Sequence, residues 1–488
     1  MAKACVVGSG IAGLASAIRL RRKGYQVDVF EANPYPGGKM HSEQYQGYRF
    51  DLGPSLFTMP GLVEELFELC GKSPKDHFPY IRKDTLCHYF WEDGTRFQAP
   101  APLASFAREA ACIFGDDEDR IAAYLEKNRR KFELTRSVFL EQSLHKPKTY
   151  LKGSTLKALA GIGGLGIFNT LDGVNRAYFQ SPKLVQLFNR YATYNGSNPY
   201  QAPGIMSMIP HLEMGLGTYF PREGMHQIPD SLYQLACEQG VTFHFNTPVN
   251  QILTKGKRAC GIRAGGVEIP ADLVVSNMDI YPTYRNLLPD HPAPERTLSQ
   301  ERSSSALIFY WGIRKVFPQL DLHNIFFSED YPEEFRQIFE ARGLSADPTV
   351  YINITSKERP ADAPAGCENW FVMINAPGDY GQDWDILVNA ARKNILAKLS
   401  RILGEPLETL IEVEKVLTPP GISERTRSFR GALYGAASNN RFAAFLRHPN
   451  FSNRIRGLYF TGGSVHPGGG IPLCLLSAKI VSDSIPAA

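Results

Sequence analysis

The sequence predicts an α/β protein built on a dinucleotide-binding β-α-β unit near its amino end. Three observations predict it. An apolar run at residues 5–7 leads into Gly8, Gly10 and Gly13, which have the spacing G-x-G-x-x-G. A helical pattern follows, and then a second apolar strand that ends at Glu31. This order of strand, glycine turn, helix, strand and acid is typical of a site for a nucleotide with a free ribose.

Each residue of this unit has a physical role in such a site. Gly8 permits a tight turn, Gly10 lets the backbone approach a pyrophosphate, and Gly13 lets the helix pack closely on the strand. The helix N terminus adds free N–H groups and a positive dipole. Glu31 can accept hydrogen bonds from ribose hydroxyls and would repel a 2′-phosphate, which disfavours NADP. The predicted binding residues of the unit are Gly8, Ser9, Gly10, Ala12, Gly13 and Glu31.

Composition limits the remaining possibilities. A chain of 488 residues with 43% hydrophobic and 21% charged residues has room for two or three globular domains. The net charge of +4 would help at an anionic membrane surface but is no nucleic-acid signature. The eight cysteines form no C-x-x-C pair, which argues against structural zinc or any other metal site and for a reducing compartment. We expect no signal peptide and no membrane-spanning run, and therefore a cytoplasmic protein that is at most peripherally attached to a membrane.

Two motifs downstream of Glu31 narrow the choice of dinucleotide. Gly37, Gly38 and Lys39 form a basic glycine turn, and the run F-D-L-G-P-S follows at 50–55. An acid, then G-G-K, then F-D-x-G-P-S resembles the FAD-binding start of the amine oxidase and carotenoid desaturase superfamily. The alternative is two ordinary glycine turns. The resemblance implies FAD as the cofactor and adds these binding residues: Gly37, Gly38, Lys39, Pro54 and Ser55.

A second glycine motif near the carboxyl end also fits a flavin site. Residues 457–463 are typical of a strand that runs into glycines, and an apolar helix is predicted from Leu473 to about Ile485, with Pro472 in its entry turn. The positive end of such a helix can stabilise the anion of reduced flavin. Many amine oxidase relatives have an acid where this chain has Gly463. The run G-G-S-V-H-P-G-G-G-I-P is instead similar to bacterial carotenoid desaturases, and this resemblance implies binding by Gly462, Gly463, Gly470, Ile471 and Pro472.

The resemblance also implies how the chain is divided. In this superfamily the segment matching 241–277 completes the nucleotide-binding sheet, and the residue matching Val249 contacts the adenine side through its backbone. The expected fold is therefore α/β, with a discontinuous Rossmann-like FAD-binding domain of the amine oxidase and phytoene desaturase type and a separate mixed sheet-and-helix substrate domain. We assign 1–75, 215–290 and 425–488 to the FAD-binding domain. The substrate-binding, membrane-associating domain takes 76–214 and 291–424.

The window 191–203 is closer to 1-hydroxycarotenoid 3,4-desaturases than to phytoene desaturases. The implied reaction introduces a C=C bond into a polyene: a hydride passes to the flavin and a proton leaves the neighbouring carbon. The implied partners are a carotenoid, a membrane surface, and oxygen or a quinone as electron acceptor, with no nucleic acid. Phytoene desaturase and a flavin-dependent carotenoid isomerase remain alternatives. An amine oxidase is disfavoured by Gly463, and a non-catalytic FAD protein by the intact cofactor motifs.

Catalytic residues are poorly specified by the sequence. The apolar run 206–212 surrounds His211 and precedes Glu213, and both are candidates for a proton acceptor or for orienting a hydroxyl group. His466 lies beside Pro467 in the closing motif and is a third candidate. Purely structural roles are the alternative for all three. The apolar glycine-rich stretch 161–168 is either a membrane contact or buried helix packing.

Overall fold

The structure is a computed structural model that describes residues 1–150, 165–440 and 447–488. The strands are β1 (Lys3–Val7), β2 (Gln26–Phe30), β3 (Ser42–Tyr45), β4 (Tyr48–Asp51), β5 (Tyr80–Arg82), β6 (Thr85–Phe90), β7 (Arg96–Pro100), β8 (Tyr219–Pro221), β9 (Thr242–His244), β10 (Val249–Lys255), β11 (Arg258–Ala264), β12 (Val267–Pro270), β13 (Leu273–Ser276), β14 (Ser305–Ile313), β15 (His323–Phe326), β16 (Val350–Ile354), β17 (Glu368–Ala376), β18 (Ile411–Leu417) and β19 (Leu458–Phe460). The α-helices are Ile11–Arg22, Gly61–Leu69, Pro74–His77, Leu103–Phe114, Glu118–Thr135, Pro147–Tyr150, Leu171–Tyr178, Pro182–Asn189, Gln227–Glu238, Ile280–Pro282, Glu295–Leu298, Tyr331–Arg336, Trp384–Leu403, Pro419–Thr426 and Ile471–Ser484.

The predicted β-α-β unit forms the centre of a five-stranded parallel sheet. The strand order is β19-β13-β1-β2-β9, and every neighbouring pair is parallel. Helices Ile11–Arg22 and Ile471–Ser484 pack against it through buried residues such as Leu14, Ile18 and Leu475. Because the strands are parallel, their carboxyl ends meet at one edge of the sheet. The glycine turn after β1, Glu31 after β2 and the glycines after β19 therefore come together there.

The segment 241–277 completes this sheet with its two ends, β9 and β13, as expected, while β10, β11 and β12 between them form a separate antiparallel sheet. The physical reason is the short turns: Gly265 and Gly266 adopt positive φ between β11 and β12, and so tight a hairpin forces antiparallel pairing. The closing helix also begins at Ile471, two residues earlier than predicted.

The second large sheet has the order β18-β14-β17-β16-β15-β6-β7 and is antiparallel except for the pair β15 and β6. Helix Trp384–Leu403 covers one face and packs on Leu307 and Phe309 of β14. Because side chains alternate along a strand, Ala306 and Ile308 face the other way, where they line a cavity. The sheet is thus apolar on both faces, and one of them forms a cavity wall.

Two predictions about organisation stay predictions. The domain boundaries are not settled by the sheets alone, although the strands of the five-stranded sheet come from residues 3–30, 242–276 and 458–460. Of the possible membrane contact 161–168, residues 161–164 lie outside the described residues, while Leu165 is buried and Phe168 is exposed. In the described part of the chain, no helix has both the length and the apolar character that a membrane span needs.

Candidate active site

A cavity of about 680 Å³ lies between the two large sheets and reaches the carboxyl ends of the parallel strands. Its wall contains most of the residues predicted to bind the cofactor. Ser9 and Gly13 support this wall without being part of it, as described below. The predicted residues in the wall are Gly8, Gly10, Ala12, Glu31, Gly37, Gly38, Lys39, Pro54, Ser55, Val249, Gly462, Gly463, Gly470, Ile471 and Pro472.

Four glycines at one end of the cavity enclose Asn277, and we call Gly8, Gly10, Gly13 and Gly462 the glycine cradle. A Cβ at Gly13 would lie 2.1 Å from the carbonyl oxygen of Gly8. One at Gly10 would lie 2.7 Å from Asn277 Oδ1, and one at Gly462 2.6 Å from Asn277 Nδ2. These distances are far below van der Waals contact, so no larger residue fits without moving the backbone or Asn277.

Asn277 joins the two ends of the predicted cofactor site. Its Oδ1 accepts a hydrogen bond from the Gly13 N–H at 3.1 Å, and its Nδ2 donates to the Thr461 carbonyl at 3.2 Å. The side chain therefore connects the N terminus of helix Ile11–Arg22 to the end of β19. Sequence analysis did not predict this role, and the available signal was a polar residue directly after a buried apolar strand.

Glu31 is held rigidly in the cavity wall. Its Oε2 accepts hydrogen bonds from the Ser9 N–H at 2.7 Å and the Ser9 hydroxyl at 2.8 Å, and its Oε1 accepts one from the Asn33 N–H at 2.9 Å. An ionised carboxylate offers about four acceptor sites, so these bonds leave capacity for a ligand hydroxyl. Ser9 thus acts by orienting the acid.

Lys39 is half-buried beside the glycine cradle. Its ammonium donates to the carbonyl oxygens of Leu433 at 2.8 Å and Ala432 at 3.2 Å. Burial lowers the pKa of Lys39, and the negative charge of Asp279 opposes that shift. An ammonium has three N–H donors, so an anionic group in the cavity would find both a donor and a positive charge here. Gly470, with φ of +103°, turns the chain so that helix Ile471–Ser484 begins in the same wall.

The cavity wall also carries a polar group that we call the tyrosine–glutamate cluster: Arg190, Tyr194 and Glu213 line the cavity, and Tyr89 and Tyr191 form hydrogen bonds with Arg190 and Glu213. Both Tyr191, at 3.0 Å, and Tyr194 donate hydrogen bonds to the Glu213 carboxylate. The Arg190 guanidinium lies 3.5 Å from Glu213 and donates to Tyr89 at 2.8 Å. Burial and the charge of Glu213 raise the pKa of Tyr191 well above its usual value, so the phenol stays protonated and donates.

The three predicted catalytic candidates are placed differently. Glu213 lies in the cavity wall and is 2% exposed. Neither His211 nor His466 is found among the described residues that line the cavity. His211 packs against the Phe132 ring, and burial lowers its pKa. His466 donates from Nε2 to the Gln142 carbonyl at 2.8 Å, and burial holds its pKa at about 4. Roles in catalysis for all three stay predictions.

The rest of the cavity wall is largely apolar. It combines helical residues from 132–212 with strand residues from β14, β15 and β17. This surface excludes water and suits a long hydrocarbon ligand. The apolar lining residues are Phe132, Leu140, Ile205, Met206, Met208, Ile209, Leu212, Ile308, Ile325, Phe371 and Met373.

Comparison with known proteins identifies the class to which this fold and site belong. Residues 11–486 match the family described as flavin containing amine oxidoreductase, and the chain belongs to that family. It is an FAD-dependent oxidoreductase, as the motifs at both ends of the sequence predict.

Individual relatives give finer information. The chain is 62% identical over 486 residues to the 1-hydroxycarotenoid 3,4-desaturase of Flavobacterium sp. (strain P99-3), covering 100% of this chain and 99% of the relative. It is 33% identical to the 4,4'-diapolycopene oxygenase of Methylomonas sp., covering 99% and 97% of the two chains. Among solved structures, putrescine oxidase bound to putrescine has a TM-score of 0.64 at 14% identity, covering 99% and 98%. At that identity the similarity concerns the fold alone.

Proposed function

We propose that this protein is an FAD-dependent carotenoid desaturase that introduces the 3,4 double bond into a 1-hydroxylated carotenoid. The observation that carries the proposal is the 62% identity with the Flavobacterium enzyme over essentially the whole of both chains. The cavity supports it, because one continuous space joins the predicted cofactor residues to a long apolar wall.

The residues at one end of the cavity fit FAD. Glu31 would hold the ribose hydroxyls, and its fixed orientation by Ser9 suits that task. The turn at Gly8 and Gly10 would hold the pyrophosphate, where backbone N–H groups and the helix dipole favour negative charge. Lys39 adds a half-buried positive charge. The N terminus of helix Ile471–Ser484 would bind the flavin ring, and the bound flavin then supplies the hydride acceptor for the oxidation.

The chain's own contribution is to position the polyene and to accept a proton. The apolar wall excludes water and holds the hydrocarbon in one orientation. Glu213 is the carboxylate in this wall, and we assign to it the proton that leaves the carbon next to the oxidised one. Its two tyrosine donors and Arg190 hold this carboxylate in place. No strong base is required, because positive charge that develops on the substrate is delocalised along the polyene.

The proposal extends to where the protein works. A carotenoid is held in lipid, so we propose that the protein attaches peripherally to the inner face of the cell membrane, with oxygen or a quinone as the final electron acceptor. Two exposed aromatic residues support a lipid contact near the undescribed stretch 151–164: Tyr150 is 46% and Phe168 67% exposed. Flotation with anionic liposomes tests this: the wild type should float, and Y150S/F168S should float less. Equal flotation would contradict the contact.

A direct assay tests the reaction. The purified protein is incubated with FAD and liposomes containing either a 1-hydroxylated carotenoid or phytoene, and products are analysed by absorbance and mass. We expect a red shift and a loss of two mass units with the hydroxylated carotenoid only. Activity on phytoene alone would identify a phytoene desaturase, and a spectral change without mass change an isomerase. A gain of oxygen would place it with the oxygenases.

A further inference from the structure

His323 is a buried polar residue that the proposed mechanism leaves without a role. It begins strand β15, is 4% exposed and lies in the wall of the cavity. Its Nε2 is buried, and among the described residues it has no hydrogen-bond partner. A buried polar atom in this state is costly, so such atoms in native proteins usually meet a ligand or water.

The neighbours of His323 determine which ring nitrogen carries the proton. The amide nitrogen of Asn353 donates to the Leu322 carbonyl at 2.9 Å, which fixes the orientation of that amide, and it also approaches His323 Nδ1 at 3.3 Å. The Tyr351 hydroxyl lies 2.7 Å from the same Nδ1. Burial holds the pKa of His323 at about 3, so the ring is neutral. With donors at Nδ1, the proton is on Nε2, and Nε2 is therefore a donor without an acceptor.

The imidazole is also connected to the predicted cofactor motif. The Ser55 hydroxyl lies 2.8 Å from the Tyr351 hydroxyl, so a hydrogen-bonded chain runs from Ser55 through Tyr351 to His323. Ser55 closes the F-D-L-G-P-S motif and lies in the same cavity wall. The free donor is thus attached to the part of the wall where cofactor and substrate would meet.

The proposed substrate offers a matching acceptor. In a 1-hydroxylated carotenoid oxidised at the 3,4 bond, one carbon separates the hydroxyl-bearing carbon from the reacting one. Any group that binds this hydroxyl must therefore lie close to the reacting carbons, in the part of the apolar wall next to the cofactor residues. We propose that His323 donates a hydrogen bond from Nε2 to the oxygen of the substrate's 1-hydroxyl group and thereby selects hydroxylated carotenoids. This inference rests on the proposed function and names its specificity-determining residue.

The test compares variants on two substrates that differ only in the 1-hydroxyl group. Wild type, H323F, H323Q and Y331F are purified with FAD, and kcat/KM is measured for the 1-hydroxylated carotenoid and for the same carotenoid without the hydroxyl. Binding is measured separately, from the shift of the carotenoid absorption on titration. Tyr331 is the matched control, because it lines the same cavity and its hydroxyl also has no partner among the described residues.

We expect H323F to lose about 10- to 100-fold in kcat/KM and in affinity for the hydroxylated substrate, and to be unchanged on the other. H323Q, whose amide N–H can reach the place of Nε2–H, should recover most of the loss, and Y331F should keep the wild-type ratio. A wild type inactive on the hydroxylated substrate would refute the proposed function. If the wild type is active but H323F keeps its selectivity for the hydroxylated carotenoid, the proposed role of His323 is overturned. Loss of selectivity in Y331F alone would overturn it as well. If H323F retains no FAD, H323M replaces it in the same comparison.

Discussion

The cofactor region and the substrate region of the cavity wall are built in different ways. In the cofactor region, the glycine cradle leaves no space for side chains, and the contacts involve backbone atoms and Asn277. In the substrate region, the tyrosine–glutamate cluster and His323 depend on side chains from strands and helices far apart in the sequence. The comparison teaches that the available space determines which residue types the first region can contain, whereas hydrogen-bond partners determine those of the second. Substitutions should therefore act abruptly at the first and gradually at the second.

The largest effect is expected from G13V in the cradle. Its side chain would overlap the Gly8 carbonyl, which is backbone and cannot rotate away, so strand and helix must separate. We expect almost no bound flavin by absorbance and a loss of at least about 3 kcal/mol in the free energy of unfolding. G61A is the control, because a Cβ there meets nothing closer than 3.8 Å. Normal flavin content in G13V would refute the steric argument.

E213Q probes the charge of the tyrosine–glutamate cluster. Removing one partner of a buried ion pair leaves Arg190 without compensation, which costs about 3 kcal/mol in the free energy of unfolding. We expect this loss in urea unfolding, together with a lowered kcat on the carotenoid. The exposed pair Arg285 and Glu295 provides the control E295Q, which should lose less stability than E213Q because solvent screens the exposed pair. Equal losses in the two variants would show that burial of the pair does not matter.

Acid should destabilise the protein through two buried neutral histidines, His323 in the cavity wall and His466 in the closing motif. The folded pKa is about 3 for His323 and about 4 for His466, below the unfolded value of about 6.5. Below pH 6.5 the unfolded state binds more protons, so stability is complete above that pH and falls as pH drops toward the folded values. Between pH 6.5 and 5 we expect each histidine to contribute a loss of about 2 kcal/mol. H323Q and H466Q should each remove the contribution of the replaced histidine to the pH dependence of stability. If the stability of both variants depends on pH as that of the wild type does, the folded pKa values are contradicted.

N277A is expected to act between the two extremes. It leaves the Gly13 N–H and the Thr461 carbonyl without their partner but causes no overlap. We expect a cost of about 1–2 kcal/mol and FAD binding weakened about 10-fold, measured by flavin fluorescence titration. N389A, at an exposed helix position, is the control. If N277A binds FAD as the wild type does, Asn277 does not organise the cradle.

Y351F should have the smallest effect. It removes the hydroxyl that donates to His323 Nδ1 and contacts Ser55, at a cost of about 1 kcal/mol. Without that donor the imidazole can also place its proton on Nδ1, so we expect selectivity for the hydroxylated carotenoid to fall about 5-fold, less than in H323F. Y331F removes a hydroxyl without a partner in the described part of the chain and should cost nothing. Full selectivity in Y351F would show that Tyr351 does not set the tautomer.

The secondary-structure elements of the cofactor region are predictable from the sequence, because their requirements are local. Tight turns and close backbone approach demand glycine, so Gly8, Gly10 and Gly13 appear as a spaced motif between a strand and a helix. The same holds for the closing helix after Gly470 and for the hairpin of β6 and β7, whose turn contains Gly94. These elements need only their own neighbours in the chain.

The side-chain contacts of the substrate region are not predictable in the same way. Glu213 was singled out, but its partner Arg190 was not, because nothing in their spacing shows that the two side chains meet. His323 contacts Tyr351 only because β15 and β16 pair in a particular register, and Ser55 reaches them from another part of the chain. The position of Asn277 after an apolar strand does not show that its side chain meets Gly13 and Thr461. Such contacts depend on tertiary packing, which amino-acid patterns along the chain do not specify.

The order of the five-stranded sheet has a consequence for how the protein matures. β1 lies between β2 and β13, and β13 pairs with β19. The sheet is therefore complete only when segments more than 400 residues apart in the sequence have come together. Loop closure over such separations is slow and leaves apolar surface open to aggregation. Because FAD binds the native state and not the unfolded chain, the FAD supply during expression should determine how much protein reaches the native state before it aggregates.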